Sequence, residues 1–344
     1  MSTRTVSCAD CPEHPHILKI ATYIAGLLGL VLLSVLFIRA DFAAMIQTLR
    51  SGGWMLLWLV PYRALYFFLY AAGWRILLRP YDPQHRAGLG YLFWVTTVRE
   101  AIDRLLPVAS VGGGVAGVRL LRWRGLAGGA VGATVIVEIV LTLISLYAFT
   151  AVGLLLLVEI NGGGQEYHRL LLAFVLTLPV PAVTALLLRY GSVFGRLERF
   201  LRPFVDDGRL FEGAASLDRE LRACFSRGRT LFTAGILQFA AFISGSFEIW
   251  FALRLFGHPV SAGTALVLES MTQALRHLAF VVPAGVGVQE AGLVIFGHAL
   301  GISGELALAV SMAKRMREVL CGLPSLLSWQ WMEGRRFQRQ MRNA

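Results

Sequence analysis

Long apolar runs separated by short polar segments dominate the hydrophobic pattern of this chain. Several of these runs approach or exceed the roughly 20 apolar residues that a helix needs to cross a bilayer. The pattern therefore predicts an all-α, polytopic membrane protein, and a content of 56% hydrophobic and 15% charged residues agrees with that class. Spanning helices are predicted at about residues 17–38, 54–78, 129–158, 170–188, 231–255 and 305–331.

Two further segments are interrupted by proline and glycine, and they correspond to each other without a gap. The first is centred on Pro107 and the second on Pro283, and the same interval separates each proline from a glycine turn. Apolar segments broken by Gly and Pro at matching positions of two halves indicate the central site of a transporter. We therefore predict two inverted repeats, at about 91–158 and 262–331, each containing a re-entrant helical hairpin.

The basic residues predict the orientation. The chain has 32 Lys and Arg residues against 21 Asp and Glu residues, which gives a net charge of +11. Arginines crowd residues 189–229, predicted as a cytosolic amphipathic segment that lies on a membrane surface. The loops 161–168 and 257–261, in contrast, contain no lysine or arginine. Because cytoplasmic loops carry the excess of positive charge, both termini are predicted to be cytosolic in a bacterial inner membrane. Anionic lipid headgroups explain the basic balance better than a nucleic acid, which is not expected as a partner.

The predicted organisation is one transmembrane domain, at residues 17–331, between a cytosolic tail at 1–16 and a basic cytosolic tail at 332–344. No cleaved signal is expected before the first apolar run. The N-terminal tail contains a C-x-x-C followed by two histidines. These residues either bind a metal or are incidental in a disordered tail; the second interpretation is favoured because no second ligand pair completes a zinc-site spacing. They are Cys8, Cys11, His14 and His16.

Charged residues inside the apolar segments are the candidate site residues. Glu290 is the sharpest candidate, because it lies seven residues after Pro283 in an otherwise uncharged run. A carboxylate at that depth is costly and needs a cationic partner. It is predicted either to serve the function directly or to form an ion pair that only holds the hairpin in place. The cations considered as its partners are Lys314, Arg315, Arg317, Arg276 and Arg104.

Position along the predicted helix at 305–331 favours two of these cations as partners of Glu290. Lys314 and Arg317 are three residues apart and share a helix face, whereas Arg315 is expected to point elsewhere. Glu138 occupies in the first repeat the position that Lys314 occupies in the second. This carboxylate and this ammonium are therefore predicted to face each other across one cavity. Arg63 is given less weight, because its long side chain can snorkel to the interface.

The first arm of the first interrupted segment carries four charges. Arg99 with Asp103, and Glu100 with Arg104, are each spaced i,i+4 and are predicted to pair on adjacent helix faces. This cluster is either part of the site or a self-neutralising structural group near the interface. Arg276 holds in the second repeat the position that Glu100 holds in the first. The further intramembrane charges are Glu248 and Glu269.

Three stretches of the sequence resemble the lysylphosphatidylglycerol-synthase transmembrane family, which is flippase-like. The resemblance covers about residues 17–331 and is closest to the members associated with hopanoid biosynthesis. Glu290 fits the glutamate of the family's second proline–glycine motif, whereas Gly114 stands where the first motif has its glutamate. A symmetric mechanism with two carboxylates is therefore not expected. The stretches are REAIDRLLPVASVGGGVAGVRLLRWRG, VVPAGVGVQEAGLVIFGHALG and MAKRMREVLCGLPSLL.

The resemblance implies translocation of a lipid across the inner membrane. An anionic phospholipid or a hopanoid-type lipid is the implied partner. The domain that attaches an amino acid to lipid is not expected, since the chain ends at Ala344. We therefore predict a flippase-like protein that is not an enzyme and uses no cofactor or metal, in agreement with the lack of P-loop and H-E-x-x-H motifs.

Two other functions remain open at this point. One is a non-transporting scaffold that binds lipid-synthesis enzymes through its arginine-rich cytosolic face. The other is an enzyme that acts on a lipid headgroup with Glu290 as its acid or base. A cavity that opens laterally to lipid favours the flippase, and a closed, dry core favours the scaffold.

Overall fold

α-Helices make up almost all of the described part of the chain. A computed structural model describes residues 50–106, 112–162, 164–191, 196, 208–279, 282 and 285–343. Within these residues it contains eleven α-helices, two short 3-10 helices (Gly53–Trp58 and Arg79–Tyr81) and no strand. The α-helices are α1 Leu59–Leu78, α2 Leu89–Leu105, α3 Gly112–Arg122, α4 Gly128–Ile160, α5 Gln165–Thr177, α6 Pro179–Tyr190, α7 Gly208–Phe225, α8 Gly228–Leu255, α9 Ala262–Leu278, α10 Val288–Ala299 and α11 Gly304–Asn343.

Apolar helices long enough to span a bilayer confirm the predicted class. Four candidate spans lie at Arg50–Tyr81, Gly128–Ile160, His168–Tyr190 and Gly228–Leu255. The longest helix is α11, whose 40 residues include Pro324 and continue through the predicted tail. The predicted first helix, the C-x-x-C tail and both hairpin prolines lie outside the described residues.

Each interrupted segment forms two helices that pack against each other, and we call them hairpin 1 (α2 and α3) and hairpin 2 (α9 and α10). The arms of hairpin 1 run antiparallel, since the Tyr91 hydroxyl near the start of α2 donates to the carbonyl of Leu120 near the end of α3. Glycine turns follow both hairpins, with φ of 79° at Gly125 and 75° at Gly301. Only glycine adopts such angles readily, so the predicted glycine turns are confirmed.

The two halves pack through corresponding helices. The long helix after each hairpin lies on the first arm of the other one: α4 packs on α9, and α11 packs on α2. Glycine allows both close approaches. A Cβ added at Gly153 would collide with Ser270, and one added at Gly322 would lie 3.4 Å from the Cβ of Ala101. Small residues of this kind let membrane helices approach closely, and here they join the two halves of the chain.

The described arginines concentrate at one end of the bundle. There Arg86 donates to the carbonyl of Gly125, and Arg119 pairs with Glu333. The guanidinium of Arg336 lies 4.7 Å from the ring centroid of Trp123, which is a favourable cation–π distance. These contacts bring several separate arginine-rich segments together. This arginine-rich end comprises residues 79–87, 119–128, 217–229 and 329–343.

The amphipathic segment predicted at 189–229 differs from the expectation in one respect. Its described helix, α7, was expected to lie on a membrane surface, but its apolar side chains pack in the main core cluster. Leu221 and Cys224 are 0% and 4% exposed. α7 contacts α4 and α6, so protein rather than lipid covers its apolar face. Amphipathicity alone cannot distinguish these two apolar surroundings.

Cys224 provides a test of this docking. Its sulfur lies 3.2 Å from the hydroxyl of Tyr81, and burial raises the pKa of the thiol. Because only the thiolate reacts, a raised pKa lowers reactivity near neutral pH. With the other cysteines replaced by alanine, we expect maleimide to label Cys224 slowly in native protein and rapidly after denaturation in SDS. Equally rapid labelling in both states would show that α7 does not stay docked.

Candidate functional site: a buried layer of ion pairs

Charged side chains from seven helices meet inside the bundle. Their ion pairs connect both hairpins to α1, α4, α8 and α11, and most of the groups are nearly inaccessible. Isolated charges in such surroundings cost several kcal/mol each, so they persist only when they are paired. We call this set the charge layer. Among the described residues its cations are Arg63, Arg99, Arg104, Arg276, Lys314, Arg315 and Arg317, and its anions are Glu100, Asp103, Glu138, Glu248, Glu269, Glu290 and Glu318.

Glu318 of α11 is the most connected carboxylate in the layer. Arg315 lies 3.1 Å from its Oε2, and Arg276, Arg104 and Arg317 lie 3.6, 3.8 and 3.9 Å from its Oε1. These arginines come from α2, α9 and α11, so one carboxylate links both hairpins to the last helix. Glu318 was not among the predicted site residues. The available signal was its position one turn after Lys314 in an apolar helix.

A chain of ion pairs continues from Glu318 towards α1 and α8. Arg104 and Arg63 lie 3.0 and 2.7 Å from the same oxygen of Glu100, which confirms the predicted Glu100–Arg104 pair. Arg317 pairs with Glu248 at 2.5 Å. Arg63 is only 4% exposed, so it is a full member of the layer and does not snorkel to the surface. Its lower weight in the sequence analysis was therefore wrong.

Glu290 lies in the first turn of α10 and is 1% exposed. The positive end of the α10 dipole stabilises a carboxylate there. Arg315 lies 3.1 Å from its Oε1, and Ser311 donates to the same oxygen at 3.0 Å. The preference for Lys314 and Arg317 was therefore wrong. Residues 311 and 315 are one helical turn apart and share the face of α11 that meets α10.

Lys314 and Glu138 each form a separate pair. The Nζ of Lys314 lies 2.5 Å from Glu269, and Arg99 lies 2.7 Å from Glu138. The two groups predicted to face each other across a cavity are thus each neutralised by the first arm of the hairpin that precedes them. Their positions nevertheless correspond, because each is a buried charge on the long helix after a hairpin and pairs inside its own half.

Asp103 does not take the partner that its spacing suggested. Arg99 pairs with Glu138 instead, and Asp103 accepts the backbone N–H of Gly113 at 2.9 Å. Gly113 lies in the first turn of α3, where unpaired backbone N–H groups attract a carboxylate. Asp103 therefore fastens the two arms of hairpin 1 to each other, and the predicted Arg99–Asp103 pair was wrong.

Hydrogen bonds fix the start of α10 to α9 and α11. Arg276 donates to the side chain of Gln289 at 2.7 Å, and Gln289 donates to Ser311 at 3.0 Å. Arg315 also donates to the carbonyl of Gly285, just before α10, at 3.1 Å. Hairpin 2 is thus held to α11 by the carbonyl of Gly285, the side-chain amide of Gln289 and the carboxylate of Glu290. Arg276 was predicted as a site residue, and the structure places it beside both Gln289 and Glu318.

A crevice reaches the charge layer between α1, α2 and α11. It is narrow, with room for about one ordered water. Its lining combines charged and apolar side chains. Of the candidate site residues, Glu100, Arg104 and Arg317 belong to this lining. The complete lining is Phe67, Thr97, Glu100, Ala101, Arg104, Arg317, Glu318, Cys321 and Gly322.

Comparison with known proteins gives one clear match. The family model described as lysylphosphatidylglycerol synthase TM region matches residues 20–323, which include every residue of the charge layer. Searches of curated proteins and of solved structures gave no match to this chain.

Proposed function

Because the chain belongs to the lysylphosphatidylglycerol synthase TM region family, we propose that it moves or sorts an amphiphilic lipid between the leaflets of a bacterial inner membrane. The charge layer is the observation that carries this proposal. A polar headgroup loses its hydrogen bonds to water when it enters hydrocarbon. Buried arginines and glutamates offer replacement partners and so lower the cost of passage. A hopanoid-type lipid or an anionic phospholipid is the proposed cargo.

We further propose that the two halves are inverted repeats with re-entrant hairpins. Hairpin 1 begins and ends at the arginine-rich end, as the Tyr91–Leu120 contact indicates. Hairpin 2 ends at the other side of the bundle, where Ile302 packs with Leu253 near the end of α8. The reciprocal packing of α4 on α9 and of α11 on α2 supports the same symmetry. With the arginine-rich end in the cytosol, both termini are cytosolic.

Transport in this scheme requires the crevice to widen. In its present form it is too narrow for a headgroup, so the structure corresponds to a closed state in the proposed cycle. The ion pairs that close it join Arg104 and Arg317 to glutamates. A bound headgroup can exchange partners with these glutamates, so opening need not leave any charge unpaired.

The scaffold is the second candidate, and the narrow crevice favours it. In that case the ion pairs only hold the bundle together, and the arginine-rich end binds lipid-synthesis enzymes. A lipid-headgroup enzyme is less well supported. Glu290 is 1% exposed and engaged by Arg315 and Ser311, which leaves no path for a substrate proton in this conformation. We therefore propose a non-enzymatic role.

Reconstitution into liposomes tests the transport proposal. Dithionite bleaches a labelled phospholipid only in the outer leaflet. With the purified chain in the membrane, label from the inner leaflet should become accessible to dithionite faster than in protein-free vesicles. Glu290→Gln keeps the size of the side chain but weakens its bonds to Arg315 and Ser311, so exchange should slow about tenfold, the effect of a barrier raised by about 1.4 kcal/mol. Glu159→Gln, at the exposed end of α4, should exchange like the wild type.

The scaffold interpretation predicts a different result. If folded wild-type protein exchanges none of the lipids extracted from its host faster than empty vesicles, the transport proposal fails. Retained thermal stability of Glu290→Gln is the control for folding, because a variant that simply unfolds would also lose exchange.

A further inference from the structure

Three guanidinium groups surround one oxygen of Glu318, but they lie too far away to form hydrogen bonds with it. Nitrogens of Arg276, Arg104 and Arg317 lie 3.6, 3.8 and 3.9 Å from Oε1. A charge-assisted hydrogen bond between nitrogen and oxygen is about 2.7–2.9 Å long. These three contacts are therefore ion pairs without hydrogen bonds. The other oxygen, Oε2, is held by Arg315 at 3.1 Å.

The three arginines are held in place by other partners. The Nε of Arg104 donates to Glu100, and Arg276 donates to Gln289. Arg317 forms its ion pair with Glu248 at 2.5 Å. Loss of Glu318 from their centre would thus leave all three guanidinium groups anchored. An anchored set of donors binds an anion without a further ordering cost.

We propose that Oε1 of Glu318 marks an anion site, in which the phosphate of a lipid headgroup binds Arg104, Arg276 and Arg317 in place of the carboxylate. A phosphate has more acceptor oxygens than one carboxylate oxygen, and the guanidinium fork matches its geometry. Glu318 is then a built-in competitor that occupies the site until a headgroup displaces it. This inference rests on the proposed function and narrows its cargo to a phosphate-bearing lipid.

The crevice has the chemistry that such a ligand requires. Its lining includes the charged side chains of Arg104 and Glu318 together with Phe67, Ala101 and Cys321. A lipid presents the same sequence of groups, with a phosphate followed by apolar chains. An inorganic anion would use only the charged groups, so contact with the apolar lining as well distinguishes a lipid from free phosphate.

Binding to the purified full-length chain in a neutral detergent tests the site. The probes are phosphatidylglycerol, diacylglycerol with the same acyl chains, and inorganic phosphate, with affinities measured by native mass spectrometry and ligand-induced thermal stabilisation. Phosphatidylglycerol should bind about tenfold more tightly than diacylglycerol, in line with the gain from hydrogen bonds to charged groups. Inorganic phosphate should compete weakly because it has no acyl chains.

Three variants make the test specific. Arg276→Gln should remove the preference for phosphatidylglycerol, and Arg276→Lys, which keeps the charge, should retain part of it. Glu318→Gln removes the competing carboxylate and should tighten phosphatidylglycerol binding, a gain that a purely structural role does not predict. The matched control is Arg254→Gln, which removes an exposed arginine at the end of α8 and should bind like the wild type.

The outcomes separate this inference from the proposed function. Equal binding of the two lipids, weaker binding by Glu318→Gln, or full displacement by inorganic phosphate would overturn the lipid phosphate site. Equal binding of both lipids by a protein that still exchanges phosphatidylglycerol would overturn it while leaving transport intact. Selective binding by a wild-type protein that exchanges no lipid would overturn transport while leaving the anion site.

Discussion

Replacing Lys314 with methionine should destabilise the protein by about 3–5 kcal/mol, the usual cost of removing one partner of a buried ion pair. Lys314 is 3% exposed and its Nζ lies 2.5 Å from Glu269, which is 2% exposed. The substitution preserves most of the side-chain volume, so the loss arises mainly from the carboxylate left without its cation. Unfolding by SDS titration from mild detergent micelles would measure the change in the free energy of unfolding.

The double variant Lys314→Met, Glu269→Met tests whether the two side chains only neutralise each other or also take part in lipid exchange. Replacing both charges with apolar side chains of similar size is often neutral or stabilising, so most of the lost stability should return. Recovery of lipid exchange along with stability would make this pair structural. A double variant as unstable as the single one would contradict our account of the pair as a self-contained ion pair.

A disulfide across the crevice should stop lipid exchange completely and reversibly. Ala101 and Gly322 both line the crevice, and a Cβ on residue 322 would lie 3.4 Å from that of residue 101. Disulfides join Cβ atoms about 3.5–4.5 Å apart, so Ala101→Cys with Gly322→Cys should cross-link α2 to α11 once the end of the Leu105 side chain turns aside. With the four native cysteines replaced by alanine, exchange should fall to the protein-free rate on oxidation and return on reduction.

A second disulfide provides the matched control. A Cβ on Gly297 would lie 3.5 Å from that of Ala307, so cysteines at these positions should cross-link α10 to α11 away from the crevice. This variant should keep exchanging lipid when oxidised. Full exchange by the oxidised crevice variant, with the cross-link verified by mass spectrometry, would show that lipid does not pass between α2 and α11.

The sequence contained enough information for the class and for most helices. The apolar runs located α1, α4, α8 and the start of α11 within about five residues, because the length that a bilayer requires leaves a strong pattern. The end of α11 was missed, since this helix continues from the predicted end at about residue 331 to Asn343. The sequence also indicated most of the buried charges, since any charge within an apolar run is conspicuous. The position of α7 against the core was not predictable in this way, because apolar faces that meet lipid and protein have the same composition.

The pairing of the charges was the least predictable feature. Lys314 and Arg315 are adjacent, but a rotation of about 100° per residue directs one to α9 and the other to α10. Which of them meets Glu290 depends on the rotation of α11 about its axis. That rotation is set by packing contacts such as Gly322 against Ala101, which involve residues far apart in the chain. Helix periodicity alone therefore favoured the wrong cation.

The proline inside α11 separates this helix into two mechanical parts. Pro324 lies six residues after Glu318 and before the basic residues of the arginine-rich end. A proline within a helix removes one backbone hydrogen bond and crowds the preceding turn, so a helix bends there more easily than elsewhere. We therefore expect the half of α11 that carries the charge layer to tilt more easily than the basic half that follows Pro324, which is held by the Arg119–Glu333 and Arg336–Trp123 contacts.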